Sequence, residues 1–270
     1  MRTRARWLVV VATGVTVIAA VGCSRARGPW NRLVCGAGVM SACVNLGKCY
    51  EHGECGFTQD LKRAGELYEK ACNGGDMPGC SNLGECYRLG VCGFAQDLKW
   101  AGELFQKACD AEESFGCSSL GMCYKSGSCG PLEDSKRAGV LFQKACDRGG
   151  MLGCFNLGAC YENGECSLPK DSERAGRLYE KVCDGGEMSG CTGFGLCCKS
   201  GGCGSPRDPK RAGELLQKAC DGGEMYGCMG LSVCYSSGDC GLSKDFRRAY
   251  ELYKRACGSG AVEGCRPLPF

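Results

Sequence analysis

Histidine is almost missing from this chain: His52 is the only one in 270 residues. Chemistry built on several imidazoles is thereby excluded. The cysteines never fall three apart, so the C-x2-C spacing common in zinc and iron–sulfur sites is absent, as is the C-x-x-C-H of haem attachment. No metal and no cofactor is expected. There is no G-x-S-x-G, no H-E-x-x-H and no phosphate loop. Excess charge of one sign is lacking too. The formal net charge is +3, which argues against a nucleic-acid partner, since that would need a basic surface. Long apolar runs are confined to Trp7–Val21, which is short of the roughly 20 residues a membrane span requires.

That run follows Arg2, Arg4 and Arg6 with no acid between them. A basic start and a short apolar stretch read as an export signal over residues 1–22. The stretch ends Ala20-Val21-Gly22-Cys23, which is similar to a bacterial lipobox and makes Cys23 the candidate lipidation site. Ala20 stands where the usual leucine would be. An ordinary signal peptide and an uncleaved anchor are the alternatives. Removing residues 1–22 leaves 30 basic against 30 acidic residues, so the apparent basicity belongs to the signal. Residues 23–27 read as a linker and 28–270 as one repeat domain.

What the chain has in abundance is cysteine, 28 in all. That level belongs to disulfide scaffolds, which persist outside the cytoplasm. Cysteine use and the export segment therefore point independently to an extracytoplasmic place, in a bacterial envelope or secreted. The cysteines are also periodic. Cys35, Cys72, Cys109, Cys146, Cys183, Cys220 and Cys257 stand 37 residues apart. Asp60, Asp97, Asp134, Asp171, Asp208 and Asp245 keep the same beat, as do Leu67, Leu104, Leu141, Leu178, Leu215 and Leu252.

Each period reads as two helices. The first starts near Met77, carries Cys80, Leu83, Gly84, Cys86 and Tyr87 at helical offsets, and stops at Gly90. The second follows Asp97, a good N-cap, and presents Ala101, Leu104, Phe105 and Ala108 as an apolar stripe. Pro209 suits the first position of such a helix. Repeated helix pairs bury their apolar faces only by stacking, so the expected fold is an all-α, α/α solenoid of six repeats with truncated end units and a right-handed superhelix. Residues 28–35 look like the last turns of one such helix, and Cys265–Phe270 begins another that two prolines stop.

The motif N-L-G-x-C-Y-x-x-G followed by D-x-x-R-A-x-x-L-Y-x-K-A-C-D-G-G resembles Sel1-like repeats, over roughly residues 28–266. The cysteine ending the second helix, with another eight residues on, resembles the Helicobacter cysteine-rich protein group. Two features depart from that group: the period of 37 and a second cysteine pair in each repeat.

If every unit pairs alike, C-x7-C gives Cys35–Cys43, Cys72–Cys80, Cys109–Cys117, Cys146–Cys154, Cys183–Cys191, Cys220–Cys228 and Cys257–Cys265, a set the resemblance supports. C-x5-C gives Cys49–Cys55, Cys86–Cys92, Cys123–Cys129, Cys160–Cys166, Cys197–Cys203 and Cys234–Cys240. Cys23 and Cys198 are left over. Cys198 replaces the tyrosine of the other repeats and reads as a buried thiol, as a redox-sensitive one, or as one that exchanges with Cys197 or Cys203 in a thiol-exchange protein.

Recognition is expected on the variable columns of the first helix. There the early repeats place Ser41, Val44, Lys48, Pro78, Ser81 and Glu85. The later ones place Phe115, Met122, Leu152, Phe155, Leu196, Tyr226, Met229 and Val233, which suggests a concave groove with an apolar end that holds a protein or peptide. Packing between neighbouring helices is the competing reading. Beside this face runs Asn45, Asn82, Ser119 and Asn156, where asparagine suits a peptide backbone or a turn; the column becomes Gly193 and Gly230.

The resemblance also implies an alternative, a penicillin-binding protein or weak β-lactamase with a β-lactam or peptidoglycan-derived ligand. The residues give it little. The only S-x-x-K is Ser167-Leu-Pro-Lys170, in an expected loop, without the S-D-N or K-T-G companions. No catalytic residue is expected, and a membrane is expected to be met only through the lipid anchor.

Overall fold

The computed structural model describes residues 6–12, 15–21, 24–129, 133–202 and 206–258. The first part is a hairpin: strand β1, Arg6–Ala12, pairs antiparallel with β2, Val15–Val21, with Arg6 opposite Val21. These strands lie inside the segment that reads as an export signal, and their valines and isoleucine suit a pleated backbone. The rest of the described chain is helical, thirteen helices joined by short loops. None of them is long and apolar enough to cross a membrane.

Beyond the hairpin the fold is all-α, of the helix-pair solenoid class, and the chain divides into two compact units. The first comprises residues 1–120 with 128–131, the second 121–127 with 132–270. The first unit holds α1 (Ser24–Gly36), α2 (Met40–His52), α3 (Leu61–Asn73), α4 (Met77–Leu89), α5 (Leu98–Asp110) and the start of α6 (Ser114–Ser126). The second holds the end of α6, α7 (Ser135–Asp147), α8 (Met151–Asn163), α9 (Ser172–Asp184), α10 (Met188–Ser200), α11 (Pro209–Asp221), α12 (Met225–Ser237) and α13 (Phe246–Gly258). Consecutive helices pack on each other from α1 to α5 and from α7 to α13; first helices also touch, α2 with α4 and α10 with α12. Helix α1 is longer than the last turns expected at 28–35. It starts at Ser24 and carries Pro29 inside.

Local chemistry sets the helix bounds. Asp60, Asp97, Asp134, Asp171 and Asp208 each accept the backbone N–H three residues on, so every second helix from α3 to α11 has a side-chain N-cap. Asp245 does the same for α13. First helices stop where the chain turns left-handed, as at Gly90 (φ 66°) and Gly164 (φ 70°).

Packing depends on small residues at one column of the first helix. A Cβ on Gly47 would lie 2.5 Å from the Tyr68 ring, and one on Gly84 would lie 2.7 Å from Phe105. In the second unit Gly121 faces Phe142 and Gly158 faces Tyr179 in the same way. The last pair has Ser232 there, and its buried hydroxyl donates to the Ala249 carbonyl at 2.8 Å. Lysines late in the second helices reach back to the previous second helix: Lys70 donates to the Cys35 carbonyl at 3.1 Å and Lys181 to that of Cys146 at 3.4 Å. A cation at a helix C-terminus is favourable, so this contact ties repeat to repeat.

The disulfides follow the beat. C-x7-C bonds join Cys35–Cys43, Cys72–Cys80, Cys109–Cys117, Cys146–Cys154, Cys183–Cys191 and Cys220–Cys228. C-x5-C bonds join Cys49–Cys55, Cys86–Cys92, Cys160–Cys166 and Cys234–Cys240. Cys123, Cys129, Cys197 and Cys257 are also disulfide-bonded. Cys23, Cys203 and Cys265, and with them the lipidation site, lie outside the described residues.

Candidate partner-binding surface

The expected recognition residues separate by burial. In the first unit Asn45 is exposed, while Asn82 and Phe115 are half-buried. Asn82 Nδ2 already donates to the Pro78 carbonyl of its own helix at 2.7 Å. The columns beside them are partly closed as well: Val44 is buried and Ser81 has no exposure at all. The Ser81 hydroxyl donates to Glu113, the acid that caps α6 by accepting from the Gly116 N–H at 2.6 Å.

In the second unit Met122, Phe155 and Met229 are half-buried and pack on the core. The Phe155 ring lies 5.5 Å from that of Tyr179. Asn156 Nδ2 is sealed from solvent with no hydrogen-bond partner among the described residues. Leu152, Leu196, Tyr226 and Val233 remain exposed, Tyr226 to 61% and Leu196 to 44%. Leu196 of α10 lies beside Gly230 of α12, where an added Cβ would come within 3.7 Å of it. Gly193 and Gly230 replace the asparagines of the earlier repeats because space has run out: a Cβ would meet the Tyr179 ring at 3.0 Å in one case and Leu216 at 2.9 Å in the other.

The charge around this row is sparse. Helix α8 has only Glu162, α10 only Lys199, and α12 has no charged residue. Helices α2 and α4 hold lysine, glutamates and arginine by contrast. Helices α10 and α12, which touch each other, expose Leu196, Tyr226 and Val233 with Lys199 as their one charged residue, a surface fit for desolvated contact, where aromatic residues are the usual anchors.

Cys198 is a different kind of site. It is free and buried. In four sister repeats an arginine lies over the tyrosine that Cys198 replaces: Arg63 over Tyr50, Arg137 over Tyr124, Arg174 over Tyr161 and Arg248 over Tyr235. With the ring gone, Arg211 lies over Phe194 instead, 4.8 Å from its centroid. Burial pushes the Cys198 thiol above its ordinary pKa; Arg211 opposes this, while Asp208 and Glu180 add to it. The protonated, enclosed thiol is a poor nucleophile. Ser167 and Lys170 lie in the loop between α8 and α9, not on a helix. His52 is exposed at the end of α2.

The Ser81–Glu113 link and its counterpart between Thr192 and Glu224 (2.6 Å) were hidden in sequence, because the partners stand 32 residues apart. The one visible signal is that a hydroxyl residue precedes, by one repeat, an acid at the cap.

The family model for the Sel1 repeat matches residues 41–76, 78–112, 114–150, 152–187, 192–224 and 226–260. Among solved structures, c5321, a protective antigen of uropathogenic Escherichia coli displaying an SLR fold, aligns with a TM-score of 0.63 and 24% identity over 86% of this chain; the chain spans 48% of that protein. A Sel1 repeat protein from Oxalobacter formigenes aligns with a TM-score of 0.69 and 22% identity, over 83% of this chain and 87% of its own. Helicobacter pylori cysteine rich protein B is 32% identical over 49% of this chain and 93% of its own, with a TM-score of 0.40. No curated protein matches the chain.

Proposed function

This chain belongs to the Sel1 repeat family, and on that premise we propose that it is an exported, lipid-anchored scaffold that binds a protein or peptide through its first helices. Sel1 repeats typically mediate protein–protein interaction. The disulfides fit an oxidising, extracytoplasmic location. The lipid on Cys23 is the finer part of the reading and rests on the segment that ends Ala20-Val21-Gly22-Cys23.

The observation that carries the binding reading is the exposed, uncharged row Leu152, Leu196, Tyr226 and Val233 on α8, α10 and α12. Its mechanism is recognition by a surface held in place before the partner arrives. Disulfides at both ends of most first helices limit their motion, which lowers the ordering cost of binding. Affinity capture from an envelope fraction tests it, comparing the wild type with the Leu196→Glu, Tyr226→Glu double variant. Both residues are exposed, so the variant keeps its fold. The expected result is loss of the partner band. Equal capture by both proteins would put the binding surface elsewhere. For the anchor, Cys23→Ser is expected to abolish incorporation of labelled palmitate and release the protein from membranes; unchanged labelling would overturn the lipidation site.

A further inference from the structure

The second helices carry a charged column: Glu66, Glu103, Arg177, Glu214 and Glu251. In α7 that position is Val140, which is 63% exposed. Beside it opens a notch of about 310 Å³, formed by Lys136, Val140 and Gln143 of α7, Leu157 of α8, and Ser167 and Leu168 of the loop that follows. The loop departs from its sisters too. The equivalents of Ser167 include Gly93 (φ 82°) and Gly241 (φ 68°), while Ser167 holds the same left-handed backbone, φ 55°, with a side chain attached. L-residues adopt that conformation reluctantly.

The serine changes what fills the notch. A Cβ on Gly93 would lie 3.1 Å from Cγ of Lys62, and one on Gly241 would lie 3.1 Å from Cα of Lys210. In those repeats the second helix closes directly over glycine. Ser167 has the Cβ, so the equivalent Lys136 cannot settle as closely. The charged column is interrupted once more, at Pro29 of α1. There too, within the first unit, a cavity of about 610 Å³ opens beside Arg32, Leu33 and Phe57. In both cases an apolar notch accompanies the loss of the charged residue.

We propose that the Val140–Leu168 notch is a second docking site, which takes a partner peptide where an aliphatic residue is followed directly by an acidic one. Val140, Leu157 and Leu168 give an apolar floor with room for one aliphatic side chain. Lys136 makes no ion pair among the described residues, and Ser167 makes no side-chain hydrogen bond among them. The Gln143 amide is already engaged with Asp147 at 2.8 Å. The polar groups left at the rim are therefore an ammonium and a hydroxyl, which suit a carboxylate. A basic segment would set a cation against Lys136. The site stands on observations separate from the first-helix face, so either can fail alone.

The test is a methyl chemical-shift titration of the full chain with acetyl-Ala-Leu-Asp-Ala-amide. The methyls of Val140 and Leu168 are expected to shift and those of Leu152 and Leu196 to stay. Replacing Asp by Lys in the peptide, or Leu by Ser, is expected to remove the response. Lys136→Gln is expected to weaken binding about threefold, the size of an exposed ion pair. Val140→Glu installs the residue that four sister repeats carry, so it folds as they do, and it is expected to abolish binding. The proposal is overturned if the Leu-Asp peptide leaves both methyls unmoved, if the Leu-Lys peptide shifts them equally, or if Val140→Glu binds as the wild type does.

Discussion

Glu224 shows how one side chain serves two repeats. It accepts from the Gly227 N–H, capping its own helix, and from the Thr192 hydroxyl of the preceding first helix. Glu187 stands at the same position of its repeat and makes no side-chain cap bond. Glu224→Ala should therefore cost about 1–2 kcal/mol in thermal or chemical unfolding, and Glu187→Ala close to nothing. Cys198 belongs to this scale as well. Because its thiol is buried and held protonated, iodoacetamide at pH 8 should label it only after the chain is unfolded in guanidinium. Rapid labelling of the native protein would contradict the enclosed site. Burial at single positions was the part least legible in sequence. Ser81 varies between repeats as a ligand-facing residue would, yet it is wholly buried, because its partner Glu113 lies in the next repeat. Variability in a column does not distinguish solvent from a neighbouring helix.

At the scale of the element, the helix bounds were legible because their causes are local. Aspartate caps and glycine stops act within four residues of themselves, and Asp97, Gly90 and Pro209 mark real ends. Helix α1 runs back to Ser24, beyond the residues 28–35 that match the phase of the other second helices. The fit between elements is tight where Gly158 meets the Tyr179 ring, with an added Cβ at 2.9 Å. Gly158→Ala should gain helix propensity and still destabilise by about 1–3 kcal/mol, since overpacking outweighs it. A rise in the unfolding midpoint would show that the ring moves aside. The disulfides act on elements too. Replacing both cysteines of Cys160–Cys166 by serine should cost roughly 2 kcal/mol in the chain-entropy account and raise amide exchange in the 164–170 loop.

For the molecule as a whole, the repeat set the fold class, and the pairing rule followed from asking every unit to behave alike. The partner surface was half legible: the apolar drift along the first helices was visible, but only coordinates show that Met122, Phe155 and Met229 contribute mostly to the core. Alkaline pH probes the same packing. Burial, then the bond each makes to a glutamate, raises the pKa of Tyr68 and Tyr179 well above the ordinary phenol value of 10.0. Because the folded value is the higher one, their contribution is intact below pH 10 and falls away as pH rises beyond it. Unfolding midpoints should drop above pH 10, and less steeply in Tyr179→Phe.

Hydroxyl-radical footprinting of the full chain, alone and with the partner captured from the envelope, locates the binding surface. Protection is expected to concentrate on Leu152, Leu196, Tyr226 and Val233, with the exposed Leu33 and Trp100 unchanged. Protection that spares those four residues would contradict this placement.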